Sequence, residues 1–145
     1  MKALKRYLTA EIGIEFKACL YFFAILFFYS VYRIANGSWQ ADIIVMAEII
    51  LLTYTMGYIQ VYFLRNFEET EKVGVFESVA SVGCALVYTI FSYILNWFDK
   101  NIAVTIGYFA YMVLCMFAMI FVYYAKRHID TELLNEDLER FKSNK

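Results

Sequence analysis

Long apolar runs without any charged side chain dominate the chain. No Asp, Glu, Lys, Arg or His occurs within residues 18–32, 78–98 or 102–125. A bilayer core about 30 Å thick requires roughly 20 residues of helix, because lipid offers the backbone no hydrogen-bond partners. The runs also lack the alternation of polar and apolar residues that is typical of a membrane β-barrel. The pattern therefore predicts membrane-spanning α-helices.

Four spans are predicted from the lengths of the apolar runs. They lie at 18–34, 43–64, 77–98 and 102–125, and the first helix is expected to begin earlier, near Ile12. With 145 residues, the chain is expected to form one domain, an all-α integral membrane bundle of four transmembrane helices. A short acidic helix at 126–145 is expected to follow the last span.

The composition agrees with a membrane location and limits the function. Hydrophobic residues make up 62% of the chain and charged residues only 19%, which differs from the balance of a soluble domain. The longest piece outside the spans is 126–145, which is too short for a separate catalytic domain. We therefore expect no enzymatic activity.

The distribution of positive charge predicts the orientation. All 13 lysines and arginines except Arg33 and Lys100 fall on one side of the predicted membrane. Positive residues near span ends accumulate in the cytoplasm, so we expect a multi-pass protein of the cell membrane with both termini inside.

The segment after the last span is acidic and amphipathic. Within 130–139 there is no cation, while apolar residues recur at helical spacing nearby. The candidate partner-binding residues are Asp130, Glu132, Leu134, Glu136, Asp137, Leu138, Glu139 and Phe141. Together with the loop acids Glu68, Glu69 and Glu71, this segment favours a basic protein partner. The simpler interpretation, which the sequence favours over partner binding, is that the last span continues as a solvated helix.

A stripe of small and weakly polar residues follows one face of the third span. Its members, spaced three and four apart, are Ser78, Ser81, Ala85, Thr89, Ser92 and Asn96. Such a stripe favours close helix packing, and a water-lined path is the alternative. A line of small residues through Gly107 on the fourth span predicts that the two faces pack together as a hairpin.

Glu48 is the one ionisable residue predicted to lie well within a span. An intramembrane carboxylate is by default a functional candidate. It could instead extend toward the outer interface or pair with Arg33 at the outer end of the first span. These two structural interpretations are favoured over proton or ion coupling.

The sequence contains few residues that are suited to metal binding or catalysis. The single histidine, His128, is expected to be a solvated cation, and the three cysteines lie in three different spans. Three methionines of the fourth span share a face with Tyr123, which favours core packing over soft-metal binding. These methionines are Met112, Met116 and Met119. We expect no cofactor, no metal and no direct binding of nucleic acid.

Several end-of-helix features resemble a family of short four-span bacterial membrane proteins of unknown function, encoded beside LytTR-type transcription regulators. The resemblance covers nearly the whole chain. The residues that carry it are Lys2, Lys5, Arg6, Ile12, Gly13, Gly57, Glu77, Asn96, Trp97, Phe98, Lys126, Arg127, Asn135 and Leu138. It implies a bacterial inner-membrane protein that binds a cognate LytTR regulator at the inner face and restrains it.

Three functions from different classes remain open from the sequence. The first is the non-enzymatic regulatory protein, whose acids would compete with DNA phosphates for the partner's cations. The second is a small oligomeric transporter, channel or lipid flippase that uses Glu48 and the polar face of the third span. The third is an accessory subunit of a larger membrane complex. A homo-oligomer is compatible with each of them.

Overall fold

The computed structural model describes residues 1–69 and 72–145 and contains helices and turns, without strands, in these ranges. The long helices are α1 (Lys2–Ala35), α2 (Ile43–Tyr62), α3 (Val75–Ile94) and α4 (Ile102–Ser143). A one-turn 3-10 helix spans Phe67–Glu69 between α2 and α3. Each long helix is long and apolar enough to cross a membrane. The predicted all-α four-helix fold is confirmed.

Two helices are longer than the apolar runs within them. Helix α1 begins at Lys2 rather than near Ile12, and α4 continues past Ala125 to Ser143 without a break. The chain has no proline, and Glu, Lys and Arg are good helix formers, so nothing local ends either helix at the apolar boundary. At about 1.5 Å per residue, α4 is roughly 60 Å long. The segment predicted as a separate acidic helix is therefore the last part of α4.

The turn between α3 and α4 ends α3 earlier than predicted. Helix α3 stops at Ile94 instead of Phe98, because Asn96 adopts a left-handed backbone conformation, and two later residues of the same turn do so too. The three residues are Asn96 (φ 59°), Asp99 (φ 51°) and Lys100 (φ 55°). Asn and Asp tolerate this conformation better than most residues. As a result, Trp97 and Phe98 fold back into the core instead of continuing the helix.

Neighbouring helices run antiparallel and pack in pairs, α1 against α2 and α3 against α4. Gly57 lets α1 and α2 approach closely, since a Cβ atom there would stand 3.2 Å from Cγ2 of Ile14. Helix α4 also touches α1, where the Tyr111 hydroxyl donates to the Ala24 carbonyl at 2.9 Å. The largest side chains of the shared core include Tyr21, Tyr29, Tyr88, Tyr108, Met112 and Met116.

Helices α3 and α4 pack together as predicted, but α4 presents a bulky face to the bundle, so the prediction that its small-residue face makes the contact is wrong. Gly107 has open space where a side chain would extend. The exposed alanines of the same line are Ala103, Ala110 and Ala118. The buried methionines are Met112, Met116 and Met119, as predicted for a packing face. The small residues of α3 leave room for these long, flexible side chains, which fill irregular gaps well.

Both chain termini lie at the same end of the bundle, here called the terminal end. Tyr58 near the end of α2 donates to Glu11 near the start of α1. At the opposite end, the Tyr32 hydroxyl of α1 donates to Asp99, between α3 and α4, at 2.8 Å. The terminal end therefore carries the first turns of α1, the 3-10 helix and the projecting part of α4.

Candidate functional site at the terminal end

The chain after α2 turns back into the bundle at the terminal end. Arg65 and Asn66 adopt left-handed conformations with φ 53° and 51°. The Asn66 N–H donates to the Gln60 carbonyl at 2.9 Å, which closes the reversal. The 3-10 helix is thereby placed against α3 and α4, and both Phe67 and Glu68 have 0% exposure.

A buried ion pair joins α1 to this 3-10 helix. The Lys17 ammonium lies 3.4 Å from a carboxylate oxygen of Glu68, and both side chains have 0% exposure. Lys17 also donates to the side-chain oxygen of Asn66, and the Tyr21 hydroxyl donates to the other Glu68 oxygen. The Lys17 nitrogen lies 5.2 Å from the ring centroid of Tyr123 on α4. Each buried charge therefore has polar or aromatic partners, as burial of charge requires.

Burial and pairing shift the pKa of the Glu68 carboxyl in opposite directions. Burial raises the pKa of Glu68 above its ordinary value, because removal from water penalises the charged form. The Lys17 charge and the hydrogen bond from Tyr21 oppose that rise. A buried ion pair is weak evidence for high stability, but it defines which elements must meet, since either charge alone would be costly.

The polar cluster continues from the ion pair into the core. The Tyr21 hydroxyl lies 3.1 Å from the Met116 sulfur, and the side-chain nitrogen of Gln60 lies 3.9 Å from the same sulfur. Residues of α1, α2, the 3-10 helix and α4 thus meet at one place. This cluster of side chains provides an ion pair and hydrogen bonds that hold the four elements together. Within residues 1–69 and 72–145, no group of three or more His, Cys, Asp or Glu could hold a metal ion.

A second contact links the 3-10 helix to the point where α4 leaves the bundle. The Arg127 guanidinium donates to the main-chain carbonyl of Glu69. Arg127 is the first arginine after the apolar run of α4, so this contact holds the base of the projecting helix. Together with the Lys17–Glu68 pair, this contact connects the middle of α1, the loop after α2 and the exit of α4.

Beyond Arg127, α4 is a solvent-exposed helix, here called the tail helix (residues 128–143). All eight predicted partner-binding residues lie on it and are exposed. Leu134, Leu138 and Phe141 are 65%, 50% and 64% exposed. His128 lies 3.6 Å from the Glu132 carboxylate one helical turn away, and both are exposed. Nothing in the described part of the chain covers the apolar side chains of the tail helix.

The loop acids do not form one acidic surface with the tail helix. Glu68 is enclosed by the bundle, so it cannot face a partner as predicted. Glu69 is exposed beside the base of the tail helix. Glu71 lies outside the described residues. The acidic surface available to a partner is therefore chiefly that of the tail helix.

Of the two structural interpretations of Glu48, its pairing with Arg33 at the opposite end is wrong. The Glu48 carboxylate accepts a hydrogen bond from the indole nitrogen of Trp97 at 2.8 Å. Arg33 instead donates to the Ser38 hydroxyl at 3.0 Å and to the Gln40 carbonyl at 3.4 Å, within the loop after α1. The turn after α3 folds Trp97 inward, and this gives Glu48 a partner that spacing along the sequence does not reveal.

The third-span stripe occupies the inner face of α3 over most of its length. Ser81, Ala85 and Ser92 are buried, and Ser78 and Thr89 are half-buried, while Asn96 lies exposed in the turn beyond the helix. All four hydroxyl groups donate to carbonyls of their own helix, at 2.7 to 3.1 Å. Their polarity is thus satisfied locally, which suits a face that packs against other helices.

Sequence analysis missed the central residues of the site. Lys17 and Glu68 were assigned to the solvated side, and Glu48 was predicted to be the one ionisable residue well inside. A signal for Lys17 exists, because Ile14 and Tyr21 lie three residues before and four residues after it, on the same helical face. No comparable signal marks Glu68, whose burial depends on the backbone reversal at Asn66.

No protein-family model, no curated protein and no solved structure matches this chain.

Proposed function

We propose that this chain is a non-enzymatic membrane protein with both termini in the cytoplasm, and that its tail helix binds and restrains a cytoplasmic regulator. The observation that carries the proposal is the tail helix itself. It continues without a break from a segment that is long and apolar enough to span a membrane, and its apolar side chains are at least half exposed. An exposed apolar face on an otherwise charged helix is typical of a helix that packs into a groove of another protein.

The charge of the tail helix favours a partner with a basic surface. Five acids lie between residues 130 and 139, and Glu132, Glu136 and Glu139 are spaced four and three apart, on one side of the helix. An acidic helix is repelled by an anionic membrane surface and attracted to cations that would otherwise bind DNA phosphates. The DNA-binding domain of a LytTR-type regulator, implied by the family resemblance, fits this chemistry.

The terminal-end contacts give the proposal a mechanism. The ion pair of Lys17 with Glu68 and the bond from Arg127 to Glu69 hold the base of the tail helix against the bundle. The tail helix therefore projects from a fixed point at the membrane. A regulator bound there is held away from the chromosome, and its phosphate-binding cations are occupied.

Affinity purification of the full chain in mild detergent from its native host tests the proposal. We expect the wild type to retain a LytTR-type regulator, identified by mass spectrometry. The Glu132→Lys/Glu136→Lys/Glu139→Lys variant should retain at least about tenfold less, because three attractive charges become repulsive. Lys142→Glu is the matched control, since it alters charge on the same helix in the opposite direction and should retain the regulator.

Equal recovery of the regulator by the wild type and the triple variant would contradict the proposal. Glu48→Gln serves as a second control, because it removes a charge from the bundle without touching the tail helix. A host phenotype abolished by Glu48→Gln but not by the triple variant would favour the transport alternative.

A further inference from the structure

A cleft of about 690 Å³ opens at the terminal end, beside the base of the tail helix. It lies between the first turns of α1, the end of α2, the 3-10 helix and α4. Three cations, Lys5, Arg6 and Lys126, line it, against one carboxylate, Glu69. The cleft is therefore a basic pocket in a chain whose formal net charge is −1. Here it is called the basic cleft.

The three cations of the basic cleft are available to a ligand. Among the described residues, Lys5, Arg6 and Lys126 form no ion pair with a carboxylate. Lys126 lies 6.0 Å from the ring centroid of Phe16, an aromatic contact that leaves its charge uncompensated. Three like charges that converge on one cleft repel each other, so an anion bound among them would be stabilised.

An unsatisfied polar group adds to the lining of the basic cleft. The Tyr123 hydroxyl is shielded from water and has no hydrogen-bond partner among the described residues. A buried hydroxyl normally has a partner, because an unmade hydrogen bond costs free energy. The hydroxyl itself is not accessible from the cleft, so the three cations are the groups that a phosphate would contact.

The basic cleft is amphipathic and stands at the boundary of the apolar runs. Lys126 is the first charged residue after the uncharged run of α4, and Lys17 is the last charged residue of α1 before its uncharged run at 18–32. Apolar side chains of Ile12, Phe16 and Val61 line the same cleft. Basic pockets between membrane helices at this depth bind anionic lipid headgroups, while acyl chains rest on the apolar wall.

We propose that the basic cleft binds the phosphate headgroup of an anionic phospholipid from the leaflet at the terminal end. Lys5, Arg6 and Lys126 neutralise the phosphate, and the aliphatic and aromatic wall contacts the adjoining part of the lipid. The bound lipid joins α1 to α4 next to the base of the tail helix. This site is separate from the tail helix, so it does not depend on a regulator being bound there.

Native mass spectrometry of the purified full chain in mild detergent tests the site with three probes. We expect phosphatidylglycerol to bind at least about tenfold tighter than phosphatidylcholine, whose phosphate is neutralised by its own choline. Inorganic phosphate at the same concentration should not displace phosphatidylglycerol, because it lacks the apolar contacts. Displacement by inorganic phosphate would overturn the lipid assignment and identify a site for free phosphate.

The Lys5→Gln/Arg6→Gln/Lys126→Gln variant should lose at least about tenfold in phosphatidylglycerol affinity. Arg140→Gln/Lys142→Gln/Lys145→Gln is the matched control, since it removes three cations at or just beyond the far end of the tail helix and should bind like the wild type. Equal binding by wild type and cleft variant overturns the proposal. If the cleft variant does not fold, the single variant Lys126→Gln tests the same site, because the Lys126 side chain is exposed. It should lose about threefold in phosphatidylglycerol affinity, and an unchanged affinity would overturn the proposal.

Discussion

At the scale of single residues, the buried pair of Lys17 and Glu68 is the most demanding feature of the molecule. Each charge is removed from water, and each is compensated by the other and by a neutral donor or acceptor, Tyr21 or Asn66. Neither residue would be tolerated in this place alone. The pair therefore couples the helical position of Lys17 to the conformation of the loop that carries Glu68.

Removing Lys17 alone should destabilise the bundle more than removing both members of the pair. We expect Lys17→Met to lower the free energy of unfolding by about 3–5 kcal/mol, because ionised Glu68 stays buried without its counter-charge. Glu68→Gln should lower it less, because burial already disfavours the ionised form of Glu68 and Lys17 keeps Asn66 as a partner. The double variant should lose clearly less than the sum. Unfolding of the purified chain in detergent, followed by circular dichroism, measures all three.

Lys5→Met is the matched control for this cycle, since it removes an exposed cation from the same helix. It should change the free energy of unfolding by no more than about 0.5 kcal/mol. Strictly additive effects of Lys17→Met and Glu68→Gln would show that the two side chains do not interact.

At the scale of elements, α4 combines two roles in one uninterrupted helix. Its first part is apolar and buries Tyr108, Met112 and Met116 in the bundle. Its last part, the tail helix, is held by Arg127 at its base and makes no core contact among the described residues. The tail helix should therefore respond to substitution independently of the bundle.

Leu134→Pro should break the tail helix and leave the bundle intact. Proline within a helix removes a hydrogen bond and clashes with the preceding turn, at a cost of about 3 kcal/mol. We expect lower helicity by far-UV circular dichroism and loss of regulator recovery, with an unchanged thermal midpoint of the bundle.

Leu134→Ala is the control for the backbone, because it removes the same side chain while it preserves helicity. A thermal midpoint lowered by Leu134→Pro as strongly as by Lys17→Met would show that the tail helix is part of the cooperative unit.

At the scale of the whole molecule, stability should depend on pH through Glu68. Its pKa is raised in the folded protein, so the native state takes up a proton at a higher pH than the unfolded chain does. This group's contribution to stability is complete below its ordinary pKa of 4.5 and is lost as pH rises through the raised value. We expect thermal midpoints of the wild type, measured relative to Glu68→Gln, to increase as pH falls toward 4.5.

The comparison with Glu68→Gln isolates this carboxyl, because every other titrating group is common to both proteins. A difference between the two midpoints that stays constant across this pH range would show that the Glu68 pKa is not raised by burial.

The architecture itself could be predicted because each helix depends on local properties. The predicted spans at 43–64, 77–98 and 102–125 are individually long enough to cross a bilayer, and lipid enforces helix on any such segment. The methionine face of α4 was also predictable, since residues three and four apart share a side. Helix ends were less accurate, because the left-handed conformations at Asn96, Asp99 and Lys100 depend on packing of Trp97 and Phe98.

The sequence by itself determined that the chain forms four apolar helices and an acidic amphipathic tail. Those features follow from the composition of each segment and from the helical spacing of its apolar residues. Only the tertiary structure decided that Glu68 turns inward to Lys17, that Trp97 rather than Arg33 meets Glu48, and that three cations share a cleft with Tyr123. The physical reason is that pairing joins residues far apart in the chain. Its free energy depends on burial and distance, which no local pattern of residues specifies.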